Sequence, residues 1–161
     1  MGFASHLGPW RLGTVKDTTG TTAGTISNMG CTTVAQSGTI TKATTSAAHV
    51  AVLPAGSQIL NIYVDVTEDF NAATGNTITV KAGSTTIGTV GGATTTPVSA
   101  GRASVTTAAP TTWVNVGTSD VMITAVFAGV GTAATTGAAT VTIEYVVRNS
   151  DGAQAPTSQQ V

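Results

Sequence analysis

The 161-residue chain contains a single cysteine, Cys31. No intrachain disulfide can form, which excludes a small extracellular fold held together by bridges. Charge is almost as scarce: Asp, Glu, Lys and Arg make up 8% of the residues, against about 25% in an average globular protein. The basic residues Arg11, Lys16, Lys42, Lys81, Arg102 and Arg148 stand singly. A nucleic-acid partner needs them clustered, so none is expected. Aromatic residues amount to 4%, too few for an array of sugar-stacking platforms. The apolar runs fall far short of the ~20 residues that cross a bilayer, so no membrane partner is expected either. The opening "MGFASHLGPW" has no basic stretch ahead of an apolar one, so it is not expected to be a signal peptide. His6 stands where myristoylation needs Ser or Thr.

What remains is apolar and β-branched. The hydrophobic fraction is 41%, which excludes the disordered class of low hydrophobicity and high net charge. About a fifth of the residues are Thr, a β-branched residue that favours strands. Nineteen glycines and many alanines supply turns and small packing positions. With a net charge of −1, little repulsion keeps copies apart, a composition that suits a subunit packed in an assembly.

The chain divides into an N-terminal arm (1–25), a β domain (26–148) and a C-terminal tail (149–161). The arm carries Phe3, Leu7, Trp10 and Leu12 among glycines and a proline, with neither a helical nor a strand period. Side chains this apolar need cover, from their own domain or from a neighbouring subunit. The tail "NSDGAQAPTSQQV" is polar and is expected to fray.

Within the β domain, "CTTVAQS" and "GTITKA" (31–43) read as a short strand pair or one kinked strand. "AHVAVLP" (48–54) is a strand ended by Pro54, which cannot donate to a ladder. "PAGS" reads as a type II turn with Pro at its second position and Gly at its third. In "QILNIYVDVT", Leu60, Ile62, Val64 and Val66 alternate with Asn61, Tyr63 and Asp65, the period of a half-buried strand. "TITVKAG" and "TTIGTV" form a hairpin. "RASVTT", "TWVNVG", "DVMITAVFA" and "ATVTIEYVV" complete eight to ten short strands, with turn signals every 8–12 residues. No stretch has a helical period over ten residues. The fold expected is all-β: an antiparallel β-sandwich, jelly-roll-like, with an extended N-terminal arm. An immunoglobulin-like sandwich is second, lacking its Cys…Trp…Cys hallmark. The inward set is Leu60, Ile62, Val64, Val66, Ile78, Val80, Val114, Val116, Ile123, Phe127, Ile143 and Tyr145.

Chemistry is sparse. His6 and His49 lie far apart in sequence, and Cys31 has no CxxC partner, so neither residue type suggests a metal or redox centre. Asp65, Glu68 and Asp69 form the one acidic cluster. Carboxylate oxygens of that kind can hold a hard cation, but EF-hand spacing is missing, and a solvated loop is the simpler reading. The T-x-T pieces do not recur at a fixed interval, so an ice-binding solenoid is excluded. No phosphate loop is present. No catalytic residues, metal site or cofactor are assigned, and the chain is expected not to be an enzyme.

Three features together, "MGFASHLGPWRLGTVKDTTGTTAGT", "VLPAGSQILNIYVDVTEDFNAATGNTITV" and the Thr/Ala/Gly bias, carry a resemblance. They resemble the small head decoration, or cement, proteins of tailed bacteriophages, notably those of marine and cyanobacterial hosts. The likeness covers residues 1–80. It implies a non-enzymatic virion protein on the capsid exterior, made in the host cytoplasm and often trimeric, that binds where major capsid protein subunits meet. Such a protein acts through contact area, so Phe3, Leu7, Trp10 and Leu12 become the candidate partner-binding residues. The alternative is a fibre- or tail-associated receptor- or carbohydrate-binding module, which would display exposed aromatics or a metal site on its loops.

Overall fold

A computed structural model describes residues 33–95 and 97–147. The arm, the tail and residues 26–32 of the β domain's expected span lie outside the described residues, as do His6 and Cys31. The order of elements is β1 (Thr33–Thr41), β2 (Ala48–Leu53), β3 (Gln58–Glu68), β4 (Gly75–Ala82), β5 (Thr85–Gly92), β6 (Gly101–Ala103), β7 (Thr106–Thr107), α1 (Pro110–Val114), β8 (Val121–Val130) and β9 (Ala138–Val146).

The strands form two antiparallel sheets, one ordered β1-β9-β3-β6 and the other β2-β8-β4-β5-β7. The all-β sandwich read from the period-two runs is therefore the observed architecture. Its interior is built from alternate residues of both sheets: Val64, Ile78, Val80, Ile123, Val141 and Ile143 are fully buried. Phe70 joins them from the β3–β4 loop and packs on Phe127 with ring centroids 4.6 Å apart. Its segment pairs with Val98 through two backbone hydrogen bonds of 3.0 and 3.1 Å.

Three local expectations change. Leu60 does not point inward. The β3–β9 register slips between Ile59 and Asn61, so Leu60 is the extra residue of a β-bulge and is 43% exposed. Ile59 takes the inward place before it and Ile62 the one after. Strict alternation fails there because one added residue inverts the faces on one side of it. Second, "TWVNVG" is not a strand. Pro110, its φ already suited to a first helical turn, opens the short α1. Trp113 then donates its indole N–H to the Ile87 carbonyl at 2.9 Å. Val114 consequently faces solvent and Val116 is only half-buried. Third, Pro54 occupies the first turn position, because the Ser57 N–H returns to the Pro54 carbonyl at 3.1 Å. Gly56 then takes the third position with φ 72°, as a type II turn requires.

The sandwich nearly closes along the edge formed by β1 and β2. A Cβ on Gly38 would lie 2.8 Å from the Val50 Cα, so only glycine allows the two backbones to come this close. Gln36, on the inward face of β1, donates to the Val52 carbonyl at 2.9 Å and accepts the Val52 N–H at 3.1 Å. Its amide also donates to the Tyr145 hydroxyl. One side chain thus serves as a piece of strand for the exposed backbone of β2.

The bulge makes a checkable contrast between neighbouring residues. Ile59→Ala should lower stability by about 2–5 kcal/mol through cavity formation, whereas Leu60→Ala should stay within about 0.5 kcal/mol. Equal losses in urea unfolding would overturn this β3–β9 register.

Candidate functional site

Among the described residues, a group of reactive side chains lies together on the outer face of the first sheet. Tyr63 and Asp65 project from β3, and Arg102 lies opposite Asp65 on β6. The Arg102 guanidinium donates through Nε to Asp65 Oδ1 at 2.8 Å and through Nη2 to Oδ2 at 3.0 Å. Its central carbon sits 4.4 Å from the Tyr63 ring centroid. The fork grips both carboxylate oxygens while its flat face covers the ring. Hydrogen bonding from Arg102 holds the Asp65 carboxyl below its ordinary range, desolvation opposes this, and the guanidinium charge adds to the lowering. The arrangement pins the three-residue β6 to β3 and leaves no carboxylate oxygen idle.

The acidic cluster read from "VDVTEDFN" does not converge. Asp65 turns to Arg102. Glu68 Oε2 accepts the Gly137 N–H at 3.4 Å, and Asp69 Oδ1 accepts the Ala100 N–H at 2.6 Å. Among the described residues, no three His, Cys, Asp or Glu side chains stand together as ligands for a metal ion. What the acids do instead is join loops at one end of the sandwich. Asn71 receives the Thr135 and Thr136 N–H groups at 2.9 and 3.1 Å and donates to Thr135 Oγ1 at 2.9 Å. Lys42 reaches the Thr135 carbonyl with its ammonium group. Asn76, fully buried, accepts the Ala72 N–H at 2.9 Å and donates to the Ala72 and Thr95 carbonyls at 3.1 Å each. Four loops, 42–47, 69–74, the described residues 93–95 and 97–100, and 131–137, are therefore braced into one end surface rich in Thr and Ala and poor in charge. Such a surface can dock on another rigid surface; it presents no acid–base pair.

Asn76 and Gln36 are functional groups that the sequence reading misses, although a signal for them exists. Each is a polar residue at a core-facing position of its strand, Asn76 before Ile78 and Val80, and Gln36 between Val34 and Ile40. His49 is exposed on β2 opposite Thr124. Phe70, Phe127 and Tyr145 are buried, Trp113 is half-buried, and Tyr63 lies under Arg102. The candidate partner-binding residues Phe3, Leu7, Trp10 and Leu12 lie outside the described residues.

No family model and no curated protein matches the chain. Among solved structures, the chain is similar to a chain of the cyanophage Pam1 capsid asymmetric unit. The identity is 19%, the TM-score is 0.46, and the alignment covers 74% of this chain and 87% of that one.

The Asp65–Arg102 pair yields a pH signature. A carboxyl whose folded pKa is lowered stabilises the fold above its unfolded value, near 3.8, and that contribution disappears as pH falls through the folded value. Parent and Asp65→Asn should therefore differ in urea midpoint at pH 7 and converge as pH drops below about 3.8. A difference that persists unchanged at pH 2 would assign the effect to lost packing of Arg102 on Tyr63.

Proposed function

We propose that the chain is a non-enzymatic structural protein of a phage virion that decorates the capsid exterior and stabilises it by binding between major capsid protein subunits. The observation that carries this reading is how the reactive side chains are used. Asp65, Glu68, Asp69, Lys42, Asn71, Asn76 and Arg102 all hold backbone or one another, which leaves a braced framework for contact. The strand order β1-β9-β3-β6 over β2-β8-β4-β5 supports the jelly-roll form of the sandwich. The chain crosses between sheets at every connection except β4–β5 and β7–β8, and this architecture recurs in capsid proteins. Architecture alone assigns no role, and the resemblance of residues 1–80 to cement proteins supplies the rest of the reading. In this reading the functional unit is a homotrimer. The alternative, a receptor- or carbohydrate-binding module, is disfavoured because among the described residues no aromatic ring is open for stacking.

The division of labour that follows is a rigid β domain and an N-terminal arm that anchors it. Ordering an arm costs about 1–2 kcal/mol per residue in backbone entropy. Burying Phe3, Leu7, Trp10 and Leu12 returns about 1.5–3 kcal/mol for each side chain. Over an arm of this length the cost exceeds the return several-fold, so the arm orders only where a partner also bonds its backbone. Repetition over a shell then adds avidity.

Deleting residues 2–12 should leave the β domain folded and lower occupancy on undecorated phage heads several-fold, measured as bound copies per particle. Full occupancy of the truncated protein with unchanged particle stability would remove the arm from the mechanism. Failure of the full chain to bind heads at all would reject the decoration reading itself.

A further inference from the structure

The sandwich has four sheet edges, and three of them are blunted. β6 is three residues long and β7 two. β2 is interrupted by a register shift between His49 and Ala51, and its Val52 backbone groups are taken by the Gln36 side chain. Among the described residues the fourth edge, β1, has none of these protections. It runs nine residues in unbroken register against β9, from Thr33↔Val146 to Thr41↔Ala138. Its sequence, TVAQSGTIT, has no charge and no proline. Soluble proteins ordinarily defend such an edge with a charge, a proline or a bulge.

The hydrogen bonds at the end of β1 identify which backbone groups face outward. The Lys42 N–H, the next step along the ladder, donates to the Gly137 carbonyl on the β9 side at 2.8 Å. Thr41 turns the other way: its N–H donates to Thr44 Oγ1 and its carbonyl accepts the Thr44 N–H, both at 2.9 Å. Because backbone groups alternate sides along a strand, Thr39, Ser37, Ala35 and Thr33 direct their N–H and C=O groups to the open edge.

We propose that this edge pairs with β1 of a second copy of the same chain, antiparallel about Ser37, joining the two β9-containing sheets across a two-fold axis. The occupant follows from the strand itself. Pairing about Ser37 sets Ala35 against Thr39 and Ser37 against its own copy, and these are the residues whose backbone groups face the edge. Each such pair can exchange both of its hydrogen bonds. The same register sets Val34 against Ile40 and Gln36 against Gly38 on the inner face and Thr33 against Thr41 on the outer one, so apolar meets apolar and no charge is opposed. In an isologous contact residue i meets j and j meets i, so Ser37, on the axis, is the residue of this strand that meets its own copy. A lysine at that position would repel its equivalent directly, and TVAQSGTIT contains no charged residue. The outward side chains Thr33, Ala35, Ser37, Thr39 and Thr41 are small and exposed, and leave room for the partner strand. This contact does not depend on the decoration reading, and it is additional to any three-fold association.

The test is sedimentation velocity of the full chain over a range of concentrations. The parent should associate reversibly into species that contain an even number of copies. Ser37→Lys and Ser37→Glu should each weaken that association by about tenfold or more, because like charges then meet at the two-fold axis. An equimolar mixture of the two variants should restore it, since Lys then faces Glu. Thr142→Lys, which adds the same charge on the neighbouring strand directly beside Ser37, should leave it near the parental value. The proposal is overturned if the parent stays free of such association at every concentration, if the Ser37 variants associate as the parent does, or if their mixture is no better than either alone. It is also overturned if association emerges only after residues 2–30 are deleted, because the chain's own N-terminal segment would then be the occupant of the edge.

Discussion

Two sheets without a disulfide and with almost no ionic contact between them can be held face to face only by the side chains enclosed in the gap. Every other feature follows from keeping that interior dry and evenly filled. The enclosed residues are mainly Val and Ile, stiff at χ1 and well matched to a pleated surface. Phe70 and Phe127 pack on each other near the braced loops. Such an interior tolerates no idle polar atom, because an unpaired buried group costs about 1–3 kcal/mol. Asn76 meets this demand by engaging the backbone of two loops from inside the core. Ser57, buried without a hydrogen-bond partner for its hydroxyl, is the one departure among the described residues.

The core strands are legible in the sequence because their pattern is simple. In β8 and β9 the inward residues Ile123, Phe127, Ile143 and Tyr145 repeat every two positions, and nothing local competes with that period. The departures fall where a second constraint overrides it. At Leu60 a bulge adds a residue without leaving a mark in the hydrophobic pattern, since Ile59, Leu60 and Ile62 are all apolar. At 112–117 the β-branched composition indicates a strand, but Pro110 and the reach of the Trp113 indole to Ile87 favour a helical turn that covers the end of the sandwich. The acidic trio misleads in another way. Closeness in sequence suggests a common site, whereas the end of β3 splays the three carboxylates toward Arg102, Gly137 and Ala100. Partners 31 to 69 residues away in the chain decide that geometry, and no local reading of the segment contains them.

The same economy of charge links the interior to the surface. Lys42, Asp65, Glu68, Asp69, Arg102 and Asp120 are each engaged in bracing, Asp120 by accepting the Ala55 N–H at 3.0 Å. Only Lys81 and Glu144 remain as charged groups without a hydrogen bond among the described residues. They stand on the outer faces of opposite sheets, so neither face carries a strong field of one sign. A protein built this way has rigid loops and outer faces covered largely by Thr. Diffusion of copies toward one another meets little long-range repulsion. Short-range shape and backbone hydrogen bonding therefore decide what it touches, and the effect of salt on those contacts should be small. Under the decoration reading proposed above, this would be the physical basis of recognition. Specificity then rests on which edges and ends are open: the unprotected length of β1 and the braced end formed by four loops.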